Sequence, residues 1–134
     1  WFDVVVTPNM FGDISTDLAS VLQGGMGIAA SANLGDQHGM FEPVHGSAPK
    51  YAGQNTTNPM AMISSVSMMF DWLGETKGDD DCLAIGDFID QAVSEVLKGD
   101  VLTYDLGGDS GTSEVGDAVA SRLAALLEEH FATV

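Results

Sequence analysis

From residue 58 onward, three stretches of this chain repeat apolar residues at helical spacing with breaks between them, and that pattern makes this half helical, each helix burying one stripe against a second layer. In "NPMAMISSVSMMFDWLG", Asn58 is placed to cap, Pro59 suits the first helical position, and Met62, Ile63, Val66, Met69, Phe70 and Leu73 form one face before Gly74 stops the helix. "CLAIGDFIDQAVSEVLKG" aligns Ile85, Phe88, Ile89, Ala92, Val93, Val96 and Leu97, with Gly99 as its stop. The acids of the preceding "ETKGDDD" suit that helix's N-terminus. After the glycine-rich "TYDLGGDSG", a last helix capped by Thr112 or Ser113 turns Val115, Val119, Leu123, Leu126 and Leu127 inward.

The N-terminal half reads differently. "FDVVVTP" is a β-branched run stopped by Pro8 and predicts a buried strand. "FGDISTDLASVL", residues 11–22, carries Phe11, Ile14, Leu18, Val21 and Leu22 at helical spacing, and "GGMG" at 24–27 ends that helix. From Ile28 to Tyr51, turn formers alternate with short apolar pieces such as "MFEPVHG", which predicts strands joined by functional loops. The mixture favours an α/β layered architecture. The 134 residues, 45% of them apolar, suffice for one ordinary core, yet the apolar run under way at Trp1 without an initiator Met reads as a piece of a longer polypeptide.

Four basic residues against twenty acidic ones give a net charge of −16. Such a surface repels nucleic acid and anionic membranes, whose phosphates need clustered Lys and Arg. The acids read as a solvated surface, with a halophilic origin as the sharper alternative. No apolar run approaches the roughly 18–20 residues of a membrane span, and no signal-peptide pattern opens the chain. The single Cys82 excludes an internal disulfide and fits a reducing cytoplasm, with packing as its role. His38, His45 and His130 lack close His or Cys partners, so zinc is not indicated.

Asp13 and Asp17 stand one turn apart, where like charges oppose the helix by a few tenths of a kcal/mol. Two carboxylates about 6 Å apart along one face are close enough to share a hard cation, Mg²⁺ or Mn²⁺, which prefers oxygen ligands and keeps positions open for a bidentate substrate. Pairs with this spacing are also common on solvated helix faces.

The residues around the pair resemble a known family. "NMFGDISTDLASVLQGGMGI" (9–28) resembles the signature of the isocitrate and isopropylmalate dehydrogenases, the metal-dependent β-decarboxylating dehydrogenases; "FEPVHGSAPKYAGQNTTNP" (41–59) is similar to their cofactor loop, and "TYDLGG" with "SEVGDAV" to their C-terminal segment. The resemblance implies that Asp13 and Asp17 are ligands of Mg²⁺ or Mn²⁺, which also chelates a small 2-hydroxy-acid substrate. Hydride passes from the 2-hydroxyl carbon to nicotinamide, the β-keto acid loses CO2, and the metal acts as Lewis acid where charge builds. His45, Gly46, Ser47 and Ala48 would hold the adenosine part of the cofactor, and Asn58 would contact adenine. The implied fold is the C-terminal part of the isocitrate/isopropylmalate dehydrogenase fold. It is not a Rossmann fold, and no G-x-G-x-x-G fingerprint occurs. Residues 1–27 would end its smaller, dimer-interface domain and residues 28–134 belong to its larger, cofactor-binding one.

Cofactor choice rests on Lys50 and Tyr51. NAD-using relatives carry an acid where Lys50 stands, so a lysine suits the 2′-phosphate of NADP, and Tyr104 matches a residue near that phosphate. A further basic residue is replaced within "GGD", which leaves NAD open; read alone, Lys50 is a surface lysine. The family's third metal-binding Asp, catalytic Lys, Tyr and Arg cluster lie upstream of "FDVVV". The chain therefore holds no catalytic residue beyond its metal ligands and is expected to be inactive alone, its full-length form acting as a homodimer or higher homo-oligomer. "EPVHGSAP" leans toward isopropylmalate enzymes and "PKYAGQ" toward isocitrate enzymes. A tartrate or malate relative, or a noncatalytic regulatory subunit, are the alternatives.

Overall fold

A computed structural model of the chain describes residues 2–132. Helix α1 spans Asn9–Ala19 and continues as a 3-10 turn over Ser20–Gln23. Strands β1 (Ala30–Leu34) and β2 (Gly39–Pro43) pair antiparallel with Ala32 opposite Phe41, and helices α2 (Met60–Lys77), α3 (Asp80–Leu97) and α4 (Thr112–Phe131) follow. The hairpin packs on α2, α2 on α3 and α3 on α4. Met60, Ala92, Val93, Val115, Val119 and Leu126 form the buried centre, so the inward faces predicted for α3 and α4 are the ones that pack. Across the α3–α4 seam the Arg122 guanidinium on α4 grips the Glu95 carboxylate on α3, Nη2 lying 3.0 Å from Oε1.

Helix α2 corrects two expectations. Gly74 does not stop it: the helix runs to Lys77 and closes on left-handed Gly78, φ 66°. Gly74 lies at the crossing with α3, where a Cβ would come within 2.6 Å of the Leu83 side chain, so it serves close packing. The buried line of α2 is also rotated from the predicted face. Ala61, Ser65 and Ser67 are buried while Met62 and Val66 are exposed. Two hydroxyls can be buried because Ser65 donates to the Ala61 carbonyl at 2.8 Å and Ser67 to that of Gly86 at 3.1 Å, which satisfies each polar group without water.

The ends of the helices are tied by other groups than predicted. Neither Thr112 nor Ser113 caps α4. The Glu114 carboxylate accepts from the Gly111 N–H at 2.7 Å, and the Ser113 N–H donates to Asn55 Oδ1 at 2.9 Å. At α3, Asp79 accepts from the Cys82 N–H at 3.1 Å, and Asp80 and Asp81 fill the first turn.

"FDVVVTP" forms no strand. A strand needs a neighbour for its N–H and C=O groups; among the described residues the two hairpin strands pair only with each other, and Val4, Val5 and Val6 are 78, 74 and 90% exposed. Helix α1 forms as predicted but buries none of its residues, and Phe11, Ile14 and Leu18 remain exposed. No helix among the described residues is long and apolar enough to cross a membrane.

Candidate functional site

Three connections meet where the hairpin, α2 and the segment after α3 converge. The first is the turn at Met26–Gly27 after α1. The second is the loop between β2 and α2, which contains the 3-10 turn Pro49–Tyr51, and the third is the 3-10 turn Tyr104–Leu106. Together they line a cleft of about 530 Å³ with Met26, Gly27, His45, Gly46, Ser47, Ala48, Tyr51, Thr57, Asn58, Tyr104 and Asp105. Seven of the eight residues expected around a nucleotide thus share one cavity, although up to 59 positions separate them in sequence.

Lys50, the eighth, is not among the lining residues. Its Nζ lies 5.4 Å from the centroid of the Tyr51 ring, an attraction between ammonium and ring face that holds the cation at the rim. Ala48 adopts a left-handed conformation, φ 46° and ψ 54°, immediately before Pro49. Such backbone in a non-glycine residue costs on the order of 1–3 kcal/mol and gathers at ligand sites. His45 Nδ1 stands 2.7 Å from the Gly46 carbonyl, which can only accept, so Nδ1 carries the hydrogen of this contact. Hydrogen bonding with the Tyr51 hydroxyl raises the Tyr104 phenol above its ordinary value.

The loops are held by named bonds. Asn58 Oδ1 accepts from the Met60 N–H at 2.9 Å, so Asn58 does cap α2, from one residue further out than its sequence position suggested. Its Nδ2 donates to Asp105 Oδ2 at 3.0 Å, and Thr103 Oγ1 donates to Asp105 Oδ1 at 2.6 Å. Thr57 and Thr112 are joined through the Thr112 hydroxyl on the Thr57 carbonyl at 2.6 Å. Local pattern gives Asp105, Thr103 and Asn55 no role of their own. The only signal for Asp105 was its place inside "TYDLGG".

Asp13 and Asp17 lie on α1, both exposed, and line a second groove with Thr16, Ser31, Glu42, His45 and Gly46. Asn9 Nδ2 lies 3.5 Å from Asp13 Oδ2. Their oxygens suit a hard cation. Among the described residues, however, no group of three His, Cys, Asp or Glu side chains is placed to hold a metal. The pair alone could supply only part of a coordination shell.

A family model described as isocitrate/isopropylmalate dehydrogenase matches residues 1–119. The chain is 50% identical over 127 residues to the homoisocitrate dehydrogenase of Methanocaldococcus jannaschii, covering 95% of this chain and 35% of that protein. It is 42% identical over 130 residues to the NADP isocitrate dehydrogenase of Archaeoglobus fulgidus, covering 93% and 30%. The crystal structure of isocitrate dehydrogenase from Methylococcus capsulatus superposes with a TM-score of 0.79 at 44% identity, over 91% of this chain and 35% of that one. The chain spans about a third of the length of the curated relatives it matches.

Proposed function

The chain belongs to the isocitrate/isopropylmalate dehydrogenase family, and from that premise we propose that it supplies the nucleotide cleft and two metal ligands of a longer enzyme that oxidises and decarboxylates a 2-hydroxy acid. The observation that carries this reading is the sharing of His45 and Gly46 by both cavities, the cleft with Tyr51, Asn58 and Tyr104 and the groove with Asp13 and Asp17. A nucleotide laid along that loop would therefore have its far end directed toward the acid pair.

The chain's residues have distinct tasks in this scheme. Asp13 and Asp17 hold the divalent cation and set its position relative to the loop. Ser47, Ala48 and the open Gly46, around which a Cβ would meet nothing within 4 Å, let a ligand approach the backbone closely. Lys50 and Tyr104 at the rim suit the 2′-phosphate of NADP, with NAD the second choice. When bound, the cation supplies Lewis acidity to the substrate oxygen and the nicotinamide accepts hydride. Isocitrate-type and isopropylmalate-type acids are the candidate substrates, and the uncovered apolar side of α1 supports a further protein surface there, that of a homo-oligomer included.

The test is turnover by the full-length protein with NADP or NAD, Mn²⁺ and isocitrate, homoisocitrate or 3-isopropylmalate. Reduced nucleotide and CO2 should appear in equal amounts and vanish with EDTA. Nucleotide binding without turnover of any 2-hydroxy diacid would instead favour a noncatalytic subunit.

A further inference from the structure

We propose that Asp105 is a positioning residue of the cleft, holding Asn58 and the Tyr104 turn in the one arrangement that accepts the base of a nucleotide. The inference rests on the nucleotide reading above and goes beyond it by assigning a role to a residue outside the cofactor loop.

Asp105 joins segments that the sequence keeps far apart. One carboxylate oxygen takes the Asn58 amide N–H at 3.0 Å and the other the hydroxyl of Thr103, itself 0% exposed, at 2.6 Å. Gly27 closes over the pair: a Cβ there would come within 2.7 Å of Asp105 Oδ2 and 3.1 Å of Asn58 Nδ2. The Gly27 carbonyl in turn accepts the Ala61 N–H at 2.9 Å in the first turn of α2. All three connections of the cleft therefore meet at one carboxylate.

The chemistry of Asn58 makes the arrangement directional. Its Oδ1 is committed to the Met60 N–H and so its Nδ2 must face Asp105, because an ionised carboxylate only accepts. The amide cannot flip to answer a ligand. Asn58 is 9% exposed, so losing the acceptor would strand a nearly buried N–H and free the amide to turn. Tyr104, adjacent to Asp105 and 60% exposed, is carried on the same turn, whose backbone closes through the Leu106 N–H on the Thr103 carbonyl at 3.0 Å. An acid that merely stapled the loops would affect stability alone, whereas a positioning acid also sets affinity in the folded protein.

Asp105→Ala removes both acceptors and leaves the Asn58 amide free to turn. Asp105→Asn keeps one, because its amide oxygen can accept from Asn58 Nδ2 while its N–H donates to the Thr103 hydroxyl. NADPH fluorescence titration of the full-length protein at low temperature should show the Kd of Asp105→Ala raised about tenfold, the scale of one lost charge-assisted hydrogen bond. The KM for NADP should rise with it while kcat stays within about twofold, as for lost uniform binding. Asp105→Asn should hold Kd to within about threefold of wild type. If Asp105→Ala does not fold, Thr103→Val, which frees the other carboxylate oxygen from outside the cleft lining, should raise Kd at least threefold. An unchanged Kd in folded Asp105→Ala, or in Thr103→Val where that variant decides, or an Asp105→Asn that recovers thermal stability but not affinity, overturns the inference and leaves the nucleotide reading intact. A wild-type protein that binds neither NADPH nor NADH overturns both.

Discussion

Asn55 and Ser113, 58 positions apart, are joined twice: Asn55 Oδ1 accepts from the Ser113 N–H at 2.9 Å and from its hydroxyl at 2.8 Å. Asn55 holds this post in a left-handed conformation, φ 53°, and its carbonyl accepts the Thr112 N–H at 3.0 Å. A residue of the β2–α2 loop thus does for α4 what a local cap does elsewhere. Asn55→Ala should lower unfolding free energy by ~1–2 kcal/mol, the worth of a helix cap with some backbone strain added. Urea denaturation checks it, and a variant as stable as wild type would show that the clamp contributes nothing.

Asp13→Asn and Asp17→Asn should each weaken Mn²⁺ binding and lower kcat by orders of magnitude in the full-length protein, because each removes a charged oxygen from the Lewis acid. Both side chains are exposed, so the fold should not suffer. Calorimetric titration with Mn²⁺ beside steady-state kinetics tests this; near-native turnover in both variants would sink the assignment.

Lys50→Asp should shift preference from NADP toward NAD. A charge-assisted contact to phosphate is worth about 1.5–3 kcal/mol, roughly tenfold to a hundredfold in relative kcat/KM. Lys50 now leans on the Tyr51 ring at 5.4 Å, a weak hold that a phosphate can outcompete. A wild-type protein that already favours NAD contradicts this reading.

Two carboxylates should respond to acid in opposite directions. Burial, and then Asp90, Asp87 and Glu75, raise the Asp71 carboxyl above its ordinary value. The native state therefore takes up this proton before the unfolded chain does, and stability is gained as pH falls through the raised pKa. Asp71→Asn should raise the melting temperature at pH 7 and leave it unchanged well below the ordinary carboxylate range; solvent screening limits the gain to ~0.2–1 kcal/mol. Hydrogen bonds from Arg122 and Gln91 lower Glu95 instead. Its contribution is present above the unfolded pKa and is lost as pH falls through the lowered one, so Glu95→Gln should destabilise at neutral pH and not in acid. Melts of both variants from pH 3 to pH 7 supply the comparison.

With a net charge of −16, the protein should melt higher in molar KCl than in dilute buffer. Salt contracts the screening length from about 10 Å at a tenth molar to about 3 Å at molar concentration. Ion exclusion strengthens any protein, so a neutral relative of similar size must be melted beside it. An equal rise in both would assign the acids to an ordinary solvated surface.

Local sequence was enough for the elements whose apolar residues find partners within the chain. α3 and α4 pack on the residues their periodicity named, Ile89, Ala92, Val93, Val115, Val119 and Leu126. The hairpin lies where turn formers bracket short apolar runs, and residues of the candidate cleft were legible because "HGSAP", Tyr51, Asn58 and Tyr104 resemble a family motif. Pairing and packing across distance were not legible. "VVV" has strand propensity but, among the described residues, joins neither edge of the hairpin, and Gly74 reads as a stop although a crossing helix needs its missing Cβ. Ser65 and Ser67 interrupt the apolar stripe but are buried because carbonyls take their hydroxyls. Asp105 was invisible for the same reason, since Gly27 and Asn58, which it meets in the fold, stand 78 and 47 positions away in sequence. Periodicity and propensity act within a few residues of chain, whereas a hydrogen bond between residues 58 and 105 exists only once the layers have closed.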